Sequence, residues 1–106
     1  MNPGMRRHRV WVESNHPAQA SRGVVAPDNW IADFPKWARL EPLSGRELEY
    51  ARQVVADATH KVTMLYTDEI TTKNRLNYDG RIFSIEAIQD KEERRVEMTL
   101  ICIERT

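Results

Sequence analysis

Hydrophobic and polar residues alternate along most of this chain, and the places where the alternation stops are as informative as the alternation itself. Val10 and Val12 share one face of the segment from Arg6 to Glu13, with His8 in line, while Arg9, Trp11 and Glu13 share the other; this is the period of a half-buried strand. The pattern is lost from Ser14 to Asn29, where two prolines, a glycine and several small residues predict a long loop. A strand resumes from Trp30 to Glu41, bent or bulged at Pro35, a residue that cannot donate to a ladder and so points to an edge. From Gly45 to about Ala58 the period becomes helical, and Leu48, Tyr50, Ala51, Val54, Val55 and Ala58 fall on one arc. That arc spans roughly 160°, more than one supporting sheet requires. Period two returns from Thr59 to Thr67, with His60, Val62, Met64 and Tyr66 on one face.

Arg75–Tyr78 and Arg81–Ile88 flank Asp79-Gly80, with Phe83, Ile85 and Ala87 expected to face inward. Asp-Gly between two β-rich runs predicts a type I′ hairpin, whose two central residues both need positive φ. A charged turn, Asp90–Arg94, precedes the last strand, Val96–Ile103, in which Val96, Met98, Leu100 and Cys102 share a face. Between the second strand and the helix lies a corner made of Pro42, Ser44, Gly45 and Glu47. Ser44 and Glu47 have the spacing of a capping box, each side chain reaching the other's backbone N–H.

These elements predict a mainly β protein: a small antiparallel barrel or sandwich of five to six strands, one inserted helix over about residues 45–58, and a long loop over about 14–29. Trp37, Leu48, Val55, Phe83, Ile85 and Leu100 are the expected core, with Trp30 at the core rim or an interface. A length of 106 residues suits a single domain spanning 1–106.

Charge and chemistry narrow the function. Sixteen basic residues balance sixteen acidic ones, which withholds the basic excess usual in nucleic-acid binders. Cys102 is the only cysteine, so no internal disulfide forms and a reducing compartment is compatible. No apolar run approaches the roughly 20 residues that cross a bilayer, and no membrane partner is expected. His8, His16 and His60 show no ligand spacing, so no metal or other cofactor is expected. The isolated glycines form no phosphate cradle. The paired carboxylates, such as Asp68-Glu69, sit in turns beside opposite charges. No enzyme signature emerges. Two features retain a functional alternative: the basic start (Arg6, Arg7, Arg9) can meet DNA phosphates, and Trp30 and Trp37 are of a type on which bases stack. Their plainer readings are a charged edge strand and core or interface tryptophans.

In order and spacing, RRHRVWVES, WARLEPLSGRE, THKVTMLY and NRLNYDGRIFSIEAI resemble the head-tail joining proteins of tailed bacteriophages, the head-closure or stopper family. The resemblance implies a non-catalytic structural protein of the virion neck, made in the bacterial host cytoplasm. Such a protein closes the DNA-filled head beneath the connector that extends the portal, and it offers a surface to the tail. Its expected partners are the connector or portal adaptor, tail-terminator or tail proteins, and further copies of itself in a ring; the basic start, Arg6, Arg7 and Arg9, leaves non-specific contact with packaged DNA open beside its plainer reading as a charged edge. Arg22, Val24, Val25 and Trp30 are the expected anchors of the subunit or connector interface. The alternatives are a small nucleic-acid-binding β-barrel and a tail-completion protein of the same virion region.

Overall fold

A computed structural model describes residues 8–16, 28–90 and 96–105. Six strands, β1 (His8–Asn15), β2 (Trp30–Pro42), β3 (His60–Leu65), β4 (Arg75–Tyr78), β5 (Arg81–Asp90) and β6 (Glu97–Arg105), and one helix, α1 (Gly45–Val54), make up the fold. The strands close into a barrel in the order β1-β2-β3-β6-β5-β4, every pairing antiparallel. Closure removes most free edges, which suits a small sheet with one apolar face per strand. The inward positions are those that alternation selects: Val10, Val12, Val62, Met64, Leu76, Phe83, Ile85, Met98, Leu100 and Cys102 are all fully buried. At the β4–β5 turn Asp79 and Gly80 have φ of 51° and 84°, both positive as a type I′ turn demands. Asn77 Oδ1 accepts the Gly80 N–H at 3.1 Å.

Trp37 does not join this core; it is 57% exposed. Its neighbours Ala38 and Leu40 are the buried residues of β2, and in a strand that parity forces Trp37 outward whatever its size. Two bulges shift other faces. Between Val12 and Glu13 the register slips so that Asp33 is the extra residue of β2. In β5 it slips between Ile85 and Ala87, which turns Ala87 away from the barrel interior and lets Ile88 pack on the main core instead. A bulge places two residues opposite one, so every position beyond it changes side. Val96 precedes β6 and is exposed rather than inward. Pro35 lies in residues 30–37 of β2, which among the described residues pair with β1 alone, because β3 pairing begins at Ala38. The expectation of an edge proline therefore holds.

The helix covers the outer face of the barrel through a second, smaller cluster, in which Leu43, Ala51, Ala58 and Ile101 are buried and Leu48, Val55 and Ala87 pack partly buried around them. Leu48 and Val55 are thus half-buried outside the main core. α1 stops at Val54, short of Ala58, with Val55 extended at φ −130°; two successive β-branched residues weaken the helix there. Arg52 Nε donates back to the Ala58 carbonyl at 3.4 Å. Ser44 does stand at the N-cap, but its side chain makes no capping bond. The first helical residue, Gly45, has φ +57°, so the chain turns into the helix through a left-handed residue instead of the usual cap geometry. Glu47 pairs instead with Lys61, Nζ to Oε2 at 2.5 Å.

Candidate functional site

The β1–β2 hairpin carries the long connection, and its root is the most elaborated polar region of the described residues. β1 and β2 remain paired to the end, Asn15 opposite Trp30, and the His16 N–H donates to the Asn29 carbonyl at 2.8 Å. Asn15 adds two bonds across the gap: its Oδ1 accepts the Asn29 N–H at 2.9 Å and its Nδ2 donates to Asp28 Oδ1 at 3.1 Å. Asx side chains suit this work because they readily hydrogen-bond backbone groups where a ladder ends and a turn begins.

Below this, Glu13 is the one buried charged residue among the described residues. The bulge beside it brings its carboxylate against β4. Arg75 Nε donates to Glu13 Oε1 at 2.6 Å and Asn77 Nδ2 to Oε2 at 3.2 Å, while Asn74 Nδ2 donates to the Glu13 carbonyl at 3.1 Å. A buried carboxylate needs this degree of satisfaction. The Arg75 guanidinium lies 4.3 Å from the Trp30 ring centroid, a cation–π distance. Trp30, Arg75 and Glu13 thus form one stack that ties the hairpin root to β4. Of the expected interface anchors, only Trp30 is placed, half-buried in this stack; Arg22, Val24 and Val25 lie outside the described residues, as do Arg6 and Arg7. Arg9 is exposed on the outer face with its guanidinium 5.4 Å from the Trp11 ring centroid. The Glu13–Arg75–Asn77 tie was not legible in sequence, because it depends on β1 pairing with β4 across 60 residues of chain. The one signal was a glutamate inside a strand, at the point where the alternation ends.

The corner residues hold the helix against the barrel. Pro42 ends β2 opposite His60, the Leu43 N–H donates to the Thr59 carbonyl at 3.0 Å, and Lys61 bridges Glu47 and Glu41, the latter at 3.7 Å.

A second polar group closes the other side. Arg81 binds Glu104 through two bonds, of 2.9 and 3.0 Å, and this pairing holds the Glu104 carboxyl below its ordinary pKa and raises that of Arg81. His60 Nδ1 lies 2.9 Å from Thr59 Oγ1, and its Nε2 lies 3.9 Å from Glu104. Burial lowers the His60 pKa, Glu104 opposing and Arg81 assisting. Burial pushes the Cys102 thiol up to about 12, so it stays protonated and packs as a small apolar side chain.

The family model for phage head completion proteins matches residues 1–105. No curated protein sequence matches the chain. Among solved structures, a Shigella flexneri 2a protein determined in solution superimposes with a TM-score of 0.76 at 20% identity, covering 98% of this chain and 96% of its own. A chain from the virion of a native gene transfer agent particle superimposes with a TM-score of 0.61 at 13% identity, covering 89% of each chain. At these identities the two likenesses speak for the barrel fold alone.

Proposed function

Because this chain belongs to the phage head completion protein family, we propose that it closes the DNA-filled head beneath the portal connector and gives the tail its attachment surface. It does so as a ring of copies in the virion neck, after synthesis in the host cytoplasm, and the whole of residues 1–106 acts as one domain. The work is done by surfaces, without catalysis or cofactor.

The observation that carries this reading is the hairpin root. A buried glutamate, an arginine stacked on Trp30 and a double asparagine bridge hold the two ends of the long connection in a fixed position on the barrel. Such bracing is what a loop needs when it must meet a neighbour at a set place. Arg22, Val24, Val25 and Trp30 are the contacts we assign to a neighbouring subunit or the connector, and Arg6, Arg7 and Arg9 the side facing DNA. Ordering a loop costs about 1–2 kcal/mol per residue in backbone entropy, a cost that many equivalent contacts in a ring offset through avidity.

Deleting residues 18–26 leaves Asn15, His16, Asp28 and Asn29 to close the root. The variant should fold yet yield filled heads that leak DNA or do not join tails, scored by electron microscopy and nuclease sensitivity. Normal infectious particles from this variant would refute the proposal. Steeply salt-dependent DNA binding by the isolated protein would favour a nucleic-acid-binding barrel instead.

A further inference from the structure

Where β3, β5 and β6 meet, the Thr59 hydroxyl has a choice of acceptor. Its oxygen accepts the Glu104 N–H at 2.8 Å. Its proton can go to His60 Nδ1, 2.9 Å away, or to the Cys102 carbonyl, 3.4 Å away. The tautomer of His60 decides between them. The other ring nitrogen, Nε2, faces Glu104 Oε1 at 3.9 Å, where a lone pair would point at a carboxylate. We therefore assign the proton of the neutral ring to Nε2, which leaves Nδ1 to accept from the Thr59 hydroxyl. The Glu104 carboxylate is already engaged: Arg81 Nε donates to Oε2 at 2.9 Å and Arg81 Nη2 to Oε1 at 3.0 Å. His60 Nε2 thus faces the same oxygen as one arm of the Arg81 fork.

We propose that this group is a proton-operated switch: a proton taken from solvent at His60 Nδ1 reverses the Thr59 bond, and the imidazolium draws Glu104 Oε1 away from Arg81. With both ring nitrogens protonated, Nδ1–H donates to Thr59 Oγ1 and the hydroxyl proton turns to the Cys102 carbonyl. Thr59 Oγ1 then accepts from Glu104 and His60 and donates to Cys102, so both its lone pairs and its proton are used. The Cys102 carbonyl accepts the Thr59 N–H as well, at 3.0 Å, which fills its two lone pairs. Without this rotor the added N–H would be left unpaired at a cost; with it, both protonation states are satisfied. The output is at the surface. The two-bond clamp of Arg81 becomes a single bond from Nε to Oε2, and the exposed Arg81 side chain turns toward water. Arg81 opens β5 directly after the Asp79-Gly80 turn, so acid loosens the tie between that turn and the end of β6. Phe83 beneath, in ring contact with His60 and under the Arg81 guanidinium, keeps the core in place.

The charged groups facing His60 are Glu104 from β6 and, behind it, Arg81 from β5. Arg81 in turn has Glu104 and Tyr78 for neighbours. β6 also presents Cys102 opposite His60, whose thiol stays protonated, and β2 presents Pro42, which does not titrate. Burial and Arg81 oppose the imidazolium while Glu104 favours it, burial dominating, so the switch works below the ordinary histidine value of 6.5. It is a property of the single chain and does not depend on the neck reading above.

The test is an NMR titration of the full isotope-labelled chain from about pH 8 to about pH 4, the range that spans histidine and carboxylate titration. His60 should be the Nε2–H tautomer at the neutral end. The Cys102 carbonyl and Arg81 Cζ signals should then move with the same midpoint as the His60 ring, below 6.5, while the spectrum keeps its dispersion. A neutral His60 protonated at Nδ1, a His60 that titrates without moving Cys102 and Arg81, or a titration that coincides with global unfolding would overturn the proposal. Thr59→Val removes the rotor and should lower the His60 midpoint by about one pH unit, the difference between a hydrogen bond to a charged and to a neutral group; Thr59→Ser should keep it near wild type. Arg81→Gln alters only the exposed side of the group and serves even where Thr59→Val does not fold. It should raise the midpoint, because the opposing cation is gone and Glu104 is left to His60. An unchanged midpoint in Arg81→Gln, or equal midpoints for Thr59→Val and Thr59→Ser, would likewise overturn the switch.

Discussion

Removing Arg75 should loosen the hairpin root more than any other single polar change. The guanidinium does two things: it pairs with Glu13 at 2.6 Å, with side-chain exposures of 25% for Arg75 and 10% for Glu13, and it stacks on Trp30. Breaking a fully buried ion pair from one side costs about 3–5 kcal/mol, because the other charge is left uncompensated. Here Asn77 still donates to Glu13 and Arg75 is a quarter exposed, which reduces the figure to about 2 kcal/mol by the same reasoning. The lost stack adds about 0.5–1 kcal/mol. Arg75→Ala should therefore destabilise by about 2–3 kcal/mol, a large part of the roughly 5–15 kcal/mol a domain of this size has. Urea denaturation of Arg75→Ala, Glu13→Gln and the double variant completes a cycle. The double variant should be less destabilised than the sum of the singles by about 1 kcal/mol or more, since removing both charges leaves nothing stranded. A cost below about 0.5 kcal/mol for Arg75→Ala, or strict additivity, would mean that the stack is an exposed surface pair of little energetic consequence.

Other measurements follow from the same geometry. Phe83→Ala should cost about 3–5 kcal/mol and Leu48→Ala about 1–2 kcal/mol, because the first lies in the main core and the second half-buried under the helix; Trp37→Ala in the isolated chain should cost under about 1 kcal/mol, and equal costs in thermal melts would contradict the facing. Ser44→Ala should be neutral within about 0.5 kcal/mol for want of a capping bond, whereas Gly45→Ala should cost about 1–2 kcal/mol, since its φ of +57° disfavours a Cβ; the reverse order in a denaturant series would restore the capping box. His60 has a lowered pKa in the fold, so the unfolded chain binds its proton more readily. Its contribution is complete above the ordinary value of 6.5 and is lost as pH falls from there towards the folded value. His60→Gln should flatten that part of the stability–pH curve and leave the acid limb below 4.5, where the contribution of Glu104, whose pKa is lowered by Arg81, is lost; an unchanged slope would remove His60 as its source.

Much of the barrel is legible in the chain because strand period and turn chemistry are local. Val62, Met64, Leu100 and Cys102 face inward by simple alternation, and Asp79-Gly80 specifies its turn through the φ values that only such residues tolerate readily. The start of the helix and the packing side chains Leu48 and Ala51 follow from spacing in the same way, whereas Tyr50 and Val54 of the same arc stay exposed and Ala58 lies beyond the helix end. What depends on contacts between distant segments could not be read. Trp37 is expected inside because strand tryptophans of small domains are usually core or interface residues, yet its side is decided by parity with Ala38 and Leu40, the two residues β2 buries. Ala87 changes side because of a bulge that only β6 pairing defines. Glu47 meets Lys61 rather than Ser44 because the corner brings β3 beneath the helix. The Glu13–Arg75–Trp30 stack requires β1, β2 and β4 to be neighbours. Alternation tells a residue which side of its own strand it takes; only closure of the sheet decides which strands meet, and so which side chains come together.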